Sequence, residues 1–456
     1  MATSATGLDS KFLLGGLALS AALTSCGGGS ALPPAASPPQ TNSLGSYIKH
    51  VVIVVQENRT FDNLFATFPG ADGAVSGKMS TGAVVKLKEH ELYNPNFLGH
   101  KHHDFVLDYD GGKMDGWNLD CVAQFPPYAP RCAYQYVDPK QIEPYWTMAR
   151  RYALADHMFP SETSGSFSAH QDLIRGDSAL TERESLIDFP SNTPWGCDAP
   201  AGTTTAVLTW KDRIRNGPAP CTNKFPSAYR TLRDLLDAKS ISWKYYVPAE
   251  SGTDSVGLIW NAYDVIRPVR YGPEWKTNVS SPEKNIFRDI RSGAFPNVSW
   301  VIPDAVNSDH GGPNFGTTDT GPSWVAQVVN AVGTSRYWSS TAIIIVWDDW
   351  GGMYDHVPPP QLDYAGLGFR VPMIVVSPYA KSGYISHTQY EFGSIVKFVE
   401  DVWDLGRLGT TDVRAGTIDD IFDFQQPPKT FTPIRAKYSK KFFERQPPSN
   451  MPVDND

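Results

Sequence analysis

Five short runs of apolar, mostly β-branched or aromatic residues constrain the fold of this chain more than any other feature. They are His50–Val55, Ile241–Val247, Val298–Ile302, Thr341–Trp347 and Val371–Val376. Apolar runs of this length are typical of strands that are buried on both faces of a parallel sheet. The chain is therefore expected to fold around a largely buried sheet.

Helical patterns lie between these runs. Ser227–Lys239 has a serine in the capping position followed by apolar residues at helical spacing, and Trp324–Val332 and Gly393–Leu405 have the same periodicity. Strands that alternate with helices predict an α/β fold, here a three-layer α/β/α sandwich around a mainly parallel sheet. We expect one catalytic domain over residues 47–424 and a polar C-terminal tail over 425–456.

Acidic and amide side chains follow two of the predicted strands. Glu57 and Asn58 come shortly after the first strand, and Asp348 and Asp349 follow the fourth directly. Ligands of open α/β sheets bind at the carboxyl ends of the strands. Adjacent carboxylates repel each other unless a cation or a shared proton relieves them, and oxygen ligands suit Ca²⁺ or Mg²⁺. The sequence thus favours a metal site, with turn caps and an ordinary loop as the alternatives.

A second candidate element is the small, polar segment 160–170, where a helix is predicted to begin near Ser166. A hydroxyl at a helix N-terminus faces free N–H groups that can hold a phosphate. A metal ion would activate this hydroxyl as a nucleophile. The alternative is that Ser166 is only a helix cap. No GxSxG motif lies near it, so the nucleophile elbow of an α/β-hydrolase is not indicated.

Histidines form the third candidate element. His100, His102 and His103 cluster in one segment, and His310 and His356 lie in two others. An imidazole can hold phosphate oxygens or protonate a leaving oxygen, although a single histidine is more often structural. His310 is the strongest candidate, because it follows a predicted strand and is flanked by an aspartate and glycines.

The N-terminal 25 residues are typical of an export signal. The uncharged stretch Phe12–Leu23 follows Lys11 and is too short to span a bilayer. It ends in LTSC, which resembles the lipobox of bacterial lipoproteins, so cleavage before Cys26 would leave a lipidated cysteine. Residues 26–46 would then be a flexible tether that holds the domain at a membrane in the periplasm or at the cell surface. Plain secretion and an uncleaved anchor are the alternatives.

The four remaining cysteines indicate the redox state of the compartment, and the net charge limits the class of partner. An even number of cysteines in an exported chain predicts two disulfides, most simply Cys121–Cys132 and Cys197–Cys221; the other two pairings and free thiols remain possible. The net charge of −8 and the lack of a Lys/Arg run argue against nucleic acid as a partner.

Six segments, taken in order, resemble a bacterial phosphoesterase family that contains acid phosphatases and phosphatidylcholine-type phospholipases C. They are HVVIVVQENRTFDNLF, GGKMDGW, SGSFSAHQ, the Asp309-His310 segment, IIIVWDDWGGMYDHVPPP and FRVPMIVVSPYAKSGYISHT. The likeness extends from about Ile48 to Leu405. It implies an alkaline-phosphatase-like fold with a single-metal site.

The resemblance also implies roles for particular residues. One divalent metal ion would be held by Glu57, Asn58, Asp348 and Asp349. Ser166 would contact the same ion and form a phosphoserine intermediate.

Four other residues match further positions of the family pattern. His100 and His310 correspond best to phosphate-binding histidines, with His102 and His103 as alternatives to His100. Asp355 and His356 are expected to support the residues that bind the metal, without contacting the metal ion themselves. Relatives commonly carry proline where this chain has Ser168, which leaves Ser164 as a second candidate nucleophile.

These observations lead to three hypotheses. The first is metal-dependent hydrolysis of phosphate monoesters through a phosphoserine, as in an acid phosphatase. The second is a phospholipase C that cleaves choline-type phospholipid phosphodiesters. The third is a surface-binding lipoprotein without catalytic activity. The expected partners are a small phosphoester or a phospholipid headgroup, and a membrane reached through lipidated Cys26.

Overall fold

The computed structural model describes residues 44–93, 98–124, 131–226, 228–249, 260–311 and 319–449, with residues 121–124 described by their backbone alone. The predicted signal segment 1–25, Cys26 and most of the predicted tether 26–46 lie outside the described residues, as does the predicted cap Ser227.

The strands are named in chain order as β1 (His50–Gln56), β2 (Ser76–Lys78), β3 (Val84–Lys86), β4 (Lys88–His90), β5 (Gln135–Val137), β6 (Ala153–Phe159), β7 (Ala179–Thr181), β8 (Glu184–Ile187), β9 (Ala206–Thr209), β10 (Arg213–Asn216), β11 (Trp243–Tyr246), β12 (Val279–Ser280), β13 (Val298–Val301), β14 (Thr341–Trp347), β15 (Val371–Val376), β16 (Tyr384–Ser386) and β17 (Tyr390–Glu391).

The helices are named in the same way as α1 (Phe61–Phe65), α2 (His102–Tyr109), α3 (Trp117–Gln124), α4 (Glu143–Arg151), α5 (Ser166–Arg175), α6 (Leu232–Ala238), α7 (Arg267–Arg270), α8 (Glu274–Thr277), α9 (Asn285–Ser292), α10 (Gly321–Gly333), α11 (Phe392–Trp403) and α12 (Lys440–Arg445).

Within the described residues, nine strands form the central sheet. Its order is β12-β11-β13-β1-β14-β15-β6-β16, and β17 also pairs with β6. All neighbours are parallel except β15, which runs antiparallel to both β14 and β6. The central strands are buried along almost their whole length, which is why they are apolar throughout rather than alternating.

Helices flank this sheet in two groups. One group consists of α4, α9, α10 and α12, and α10 contacts each of the other three. The other group consists of α5, α6 and α11, which contact one another. This arrangement confirms the predicted α/β/α fold around a mainly parallel sheet. The strands β1, β13, β14 and β6 run in the same direction, so the loops that follow their carboxyl ends lie at one edge of the sheet.

The five predicted strands are all present as β1, β11, β13, β14 and β15, with ends that shift by one or two residues at most. The helix predicted from Ser227 begins later, at Leu232, because Thr231 caps it and Asp234 completes the capping box. Strand β6 and the antiparallel sheet β10-β9-β8-β7 were not predicted.

The segment predicted as a C-terminal tail contains α12, which packs against α10. The ring of Phe443 lies 5.4 Å from the ring of Trp324, and Ile434 is buried. Among the described residues, no helix has the length and apolar character needed to cross a membrane. The predicted disulfide Cys197–Cys221 is confirmed. Cys132 is disulfide-bonded as well, while the side chain of Cys121 lies outside the described residues.

Candidate active site

The register of β1 against β14 brings the first acidic residues together. Gln56 lies opposite Trp347, so Glu57 and Asp348 leave the sheet at the same level. The backbone N–H of Asn58 donates a hydrogen bond of 3.0 Å to Oδ1 of Asp348. Asn58 adopts a φ of 61°, a left-handed conformation that asparagine tolerates better than most residues. Two strand ends therefore converge on one buried acidic corner.

Ser166 is the first residue of α5, and its hydroxyl reaches this corner. Its Oγ lies 3.4 Å from Oε2 of Glu57 and 3.4 Å from Oδ2 of Asp349. The preceding Gly165 allows the approach, because a Cβ there would lie 2.9 Å from the rings of His100 and Phe189. The sequence-predicted nucleophile and three predicted acidic residues are thus brought together.

His170 completes the corner and was not predicted. Its Nε2 lies 3.1 Å from Oε1 of Glu57 and 3.7 Å from Oδ2 of Asp348. Burial lowers the pKa of His170 to about 4 even though the charge of Asp348 opposes the shift. The available signal was its spacing: four residues after Ser166 on a helix, it lies on the same face one turn later.

Two buried oxygen atoms of the corner are suited to bind a cation. Oδ1 of Asn58 and Oδ2 of Asp348 are buried, and no described group donates a hydrogen bond to either. Glu57, His170 and Asp348 offer ligand atoms that lie within 4.8 Å of one another. Buried polar atoms without partners are costly, and a metal ion would satisfy them. These residues therefore form a buried group with the composition and spacing of a metal site.

The two predicted phosphate-binding histidines lie beside this corner. Nδ2 of Asn58 donates a hydrogen bond of 3.2 Å to Nε2 of His100, whose Nδ1 lies 3.1 Å from the carbonyl oxygen of Leu98. The rings of His100 and His310 are 5.9 Å apart and both are buried. His100 thus lies between Asn58 and Gly165, the residue before α5, and His310 lies beside His100.

Asp309, which precedes His310, is turned into the core. Its Oδ2 accepts hydrogen bonds of 2.8 Å from the Tyr145 hydroxyl and 3.0 Å from the Trp347 indole. Burial raises the pKa of Asp309 to about 6, although the charge of Arg59 opposes this. Asp309 therefore fixes the backbone that carries His310.

The alternative candidates face other partners. The hydroxyl of Ser164 accepts a hydrogen bond of 2.6 Å from the backbone N–H of Asp188 and lies 3.2 Å from the Asp188 carboxylate. Nδ1 of His102 lies 2.7 Å from the Thr163 hydroxyl, and His103 is exposed. Geometry therefore favours Ser166 over Ser164, and His100 over its two neighbours.

Asp355 and His356 belong to a separate buried cluster. Arg370 donates to Asp355 at 3.1 Å and to Asp62 at 3.3 Å. Asp355 also accepts a hydrogen bond of 3.1 Å from the backbone N–H of Asp62, and His356 Nδ1 lies 2.7 Å from the Asp62 carboxylate. Burial raises the pKa of Asp355 to about 6 against the opposing charge of Arg370. This second cluster anchors α1, which follows the Glu57–Asn58 segment.

A family model described as the Phosphoesterase family matches residues 48–406. The chain belongs to this family. Its membership supports a phosphoric ester hydrolase over a non-catalytic binding protein.

Curated relatives of the chain are phospholipases C. A non-hemolytic phospholipase C of Pseudomonas aeruginosa is 24% identical over 83% of this chain and 58% of its own length. Phospholipase C A of Mycobacterium tuberculosis is 23% identical over 85% of this chain and 79% of its own length. Non-specific phospholipase C5 of Arabidopsis thaliana is 24% identical over 83% of this chain and 75% of its own. The chain thus spans little more than half of the Pseudomonas relative.

Solved structures show only a distant likeness. A protein in the alkaline phosphatase superfamily from Vibrio parahaemolyticus has a TM-score of 0.34 at 11% identity, covering 82% of this chain and 72% of that chain. A phosphonate monoester hydrolase of Agrobacterium radiobacter has a TM-score of 0.35 at 10% identity, covering 83% and 78%. These values are too low to assign a function.

Proposed function

We propose that the chain hydrolyses phosphoesters with Ser166 as the nucleophile and a phosphoserine as the intermediate. The observation that carries this proposal is the position of the Ser166 hydroxyl, at the first turn of α5 and 3.4 Å from two carboxylates. A helix N-terminus offers free N–H groups to the oxygens of a phosphoryl group. The nucleophile and a site for the transferred group therefore coincide.

A divalent cation would be held by Glu57, Asn58, Asp348, Asp349 and the Ser166 hydroxyl. When bound, it would lower the pKa of that hydroxyl and offset the charge on the phosphoryl oxygens. The oxygen donors favour a hard cation such as Ca²⁺ or Mg²⁺, whereas the nearby nitrogen of His170 widens the choice to Mn²⁺ or Zn²⁺.

The protein groups account for the remaining steps. Ser166 passes its proton to the carboxylate of Asp349, 3.4 Å away, as its Oγ forms a bond to phosphorus and the bond from phosphorus to the leaving oxygen breaks. His310, in its protonated form, donates its proton to that oxygen. The neutral imidazole then accepts a proton from the water that attacks the phosphoserine, and the Ser166 Oγ leaves with the proton that Asp349 returns. His100 is proposed to hold a phosphoryl oxygen, for which its Nε2 has to give up the hydrogen bond from Asn58 and carry a proton.

Asp355 and His356 are proposed to support this machinery from a distance. Through Asp62 they fix the start of α1, only a few residues after Glu57 and Asn58. Their substitution is therefore expected to loosen the loop that carries two metal ligands rather than to remove a reacting group.

For the substrate, we propose a choline-type phospholipid diester, because the curated relatives are phospholipases C. The phosphate monoester remains the second candidate. It is favoured by the two imidazole rings, 5.9 Å apart, since a monoester has one more free oxygen to be held. An acid phosphatase and a phospholipase C would use the same Ser166 chemistry.

A paired assay tests both levels of the proposal. Wild type, Ser166→Ala and the matched control Ser164→Ala are given p-nitrophenyl phosphate and p-nitrophenylphosphorylcholine. We expect wild type and Ser164→Ala to prefer the choline diester and Ser166→Ala to be inactive on both. A preference for the monoester would replace the phospholipase assignment, and full activity of Ser166→Ala would overturn the nucleophile.

We also propose export and lipid anchoring through Cys26. The support is the lipobox-like sequence LTSC and the disulfide Cys197–Cys221, which suits an oxidising compartment. Metabolic labelling with a radioactive fatty acid should mark wild type and leave Cys26→Ala unlabelled. Equal labelling of both chains would exclude this anchor.

A further inference from the structure

A bulge in β6 creates a second cluster of metal-type ligands outside the active site. Val371 pairs with Met158 and Met373 pairs with Ala155, so one residue of β15 faces two residues of β6. The single residue is Pro372, which has no N–H to lose. Bulges of this kind redirect side chains.

The two residues of β6 that lie opposite the single residue of β15 are Asp156 and His157, and their side chains contact each other. Nδ1 of His157 lies 2.8 Å from Oδ1 of Asp156. Consecutive residues of a regular strand point to opposite faces, so this contact depends on the bulge. Asp156 is fully buried, while the side chain of His157 is 24% exposed. A buried carboxylate thus sits under a solvent-accessible imidazole.

A second imidazole reaches the same carboxylate from the neighbouring strand. His387 directly follows β16, which runs parallel to β6 with Ser386 opposite Ala155. Its Nδ1 lies 2.8 Å from Oδ2 of Asp156, and its side chain is 59% exposed. Ligand atoms of the three residues all lie within 4.8 Å of one another.

We propose that Asp156, His157 and His387 bind a divalent transition-metal ion, with Zn²⁺ as the best match. Two imidazoles and one carboxylate are a frequent Zn²⁺ ligand set, and solvent can take the fourth position. Tetrahedral ligands at about 2.1 Å from the ion are about 3.4 Å apart. His157 and His387 contact different oxygens of Asp156, and the contact to the oxygen that binds the ion has to open from 2.8 Å by about 0.6 Å, which a rotation of exposed His387 permits.

Binding leaves the proton count of neutral imidazoles unchanged. The hydrogen between each Nδ1 and the carboxylate moves to Nε2 of the same ring, and the ion takes its former place beside Nδ1. For His157 this proton has a partner, because Nε2 lies 3.4 Å from Oδ2 of Asp72. A carboxylate behind a ligating imidazole orients the ring and strengthens binding.

The anchoring carboxylate is suited to a cation. Asp156 is buried, and its Oδ2 also accepts a hydrogen bond of 2.8 Å from the backbone N–H of Asp72. The carboxylate is therefore held in a fixed orientation between the two imidazoles.

The nearby cluster of Asp62, Asp355 and His356 differs in one respect. Arg370 lies 3.1 Å from Asp355 and 3.3 Å from Asp62, so that cluster already contains a positive charge. Toward Asp156, the same guanidinium reaches the main-chain oxygen, at 2.8 Å. Of the two clusters, the one on β6 is therefore the better cation site.

An ion at this site would link the middle of β6 to the loop after β16. Strand β6 leads directly into the segment that carries Ser166. The expected consequence is a more stable sheet edge beneath that segment, with no part in the chemistry.

Zinc stoichiometry of the full chain tests the proposal. Wild type, His387→Ala, His157→Asn and the control His103→Ala, an exposed histidine outside the cluster, are dialysed against Zn²⁺ alone and assayed for bound metal. We expect wild type and His103→Ala to bind one more Zn²⁺ per chain than the two cluster variants. His387→Ala should keep the activity of wild type on the chromogenic substrates, because it touches no proposed catalytic residue.

A second readout separates this ion from one at the active site. In the Asp348→Asn background, which removes a ligand of the catalytic ion, Zn²⁺ should raise the Tm, and the additional change His387→Ala should abolish this rise. Equal Zn²⁺ binding by wild type and His387→Ala would overturn the proposal, whatever the result of the activity assays. So would a Zn²⁺-dependent rise in Tm that persists in the double variant Asp348→Asn/His387→Ala.

Discussion

Two buried acidic clusters lie close together in sequence and differ in what neutralises them. In the active-site corner, Glu57 and Asp349 accept hydrogen bonds from the Ser166 hydroxyl. In the anchor cluster, Asp62 and Asp355 are bridged by the guanidinium of Arg370. The carboxylates of both clusters are fully buried.

The anchor cluster contains the cationic side chain of Arg370, whereas we propose that the active-site corner binds a metal cation from solution. A buried carboxylate is stable only when a positive charge or several hydrogen bonds offset the loss of hydration. Arg370 performs this role permanently in the anchor cluster. In the corner, burial holds the pKa of His170 at about 4, so this imidazole is neutral at neutral pH. We propose that a divalent ion offsets the charge there.

The largest expected effect comes from the hydroxyl of the corner. Ser166→Ala should lower kcat on the preferred chromogenic substrate by about 10³-fold or more, because the reaction loses its nucleophile. The Tm should stay close to that of wild type. Ser164→Ala, whose hydroxyl contacts Asp188, should keep most of the activity; a reversed pattern would assign the nucleophile to Ser164.

The next largest effect is expected from Arg370, the cationic side chain of the anchor cluster. Arg370→Leu should lower the free energy of unfolding by about 3–5 kcal/mol, since two buried carboxylates lose their counter-charge. Urea unfolding measures this. Arg150→Leu, which breaks an exposed pair with Glu143, should cost less than about 1 kcal/mol. Equal losses of unfolding free energy in Arg370→Leu and Arg150→Leu would mean that the buried ion pairs of Arg370 stabilise the fold no more than an exposed pair does.

A smaller effect is expected from His170. His170→Gln should weaken the affinity of the catalytic ion about 10- to 100-fold, because its imidazole lies 3.1 Å from Glu57 and close to Asp348. Activity measured against metal concentration should shift to higher concentration and recover at saturation. No shift, with a lower maximal rate, would mean that His170 acts on the reaction itself.

The smallest effect is a pH dependence in the anchor cluster. Burial would lower the pKa of His356, but its hydrogen bond to Asp62 and the charges of Asp62 and Asp355 raise it overall. A raised imidazole pKa contributes stability that is complete below pH 6.5 and is lost as the pH rises further. The difference in unfolding free energy between wild type and His356→Gln should therefore shrink above pH 6.5. A difference that grows with pH would have the wrong sign.

Much of the fold and the site was predictable because parallel, buried strands are apolar throughout. Glu57 and Asp348 were found together because β1 and β14 pair in register and end at the same level. The position of Ser166 at the start of a helix was predicted correctly, because α5 begins at that residue. These features depend on local pattern and on the general geometry of α/β sheets.

Other features depend on tertiary contacts that no local pattern encodes. Strand β6 was missed because Asp156 and His157 interrupt its apolar run, and only the bulge makes room for them. The antiparallel direction of β15 was not visible, since a buried strand has the same pattern in either direction. His170 was present in the SGSFSAHQ segment, and helical spacing from Ser166 was the signal that would have identified it.

We propose above all that the acidic corner needs a divalent ion to activate Ser166. The most direct measurement is the initial rate of the chelator-treated, dialysed enzyme as Ca²⁺, Mg²⁺, Mn²⁺ or Zn²⁺ is returned, with Asp349→Asn measured in parallel. The account predicts that the stripped enzyme is inactive, that at least one of these ions restores the rate of wild type, and that Asp349→Asn needs far more of that ion. Full activity of the stripped enzyme, with no metal detectable in the sample, would contradict it.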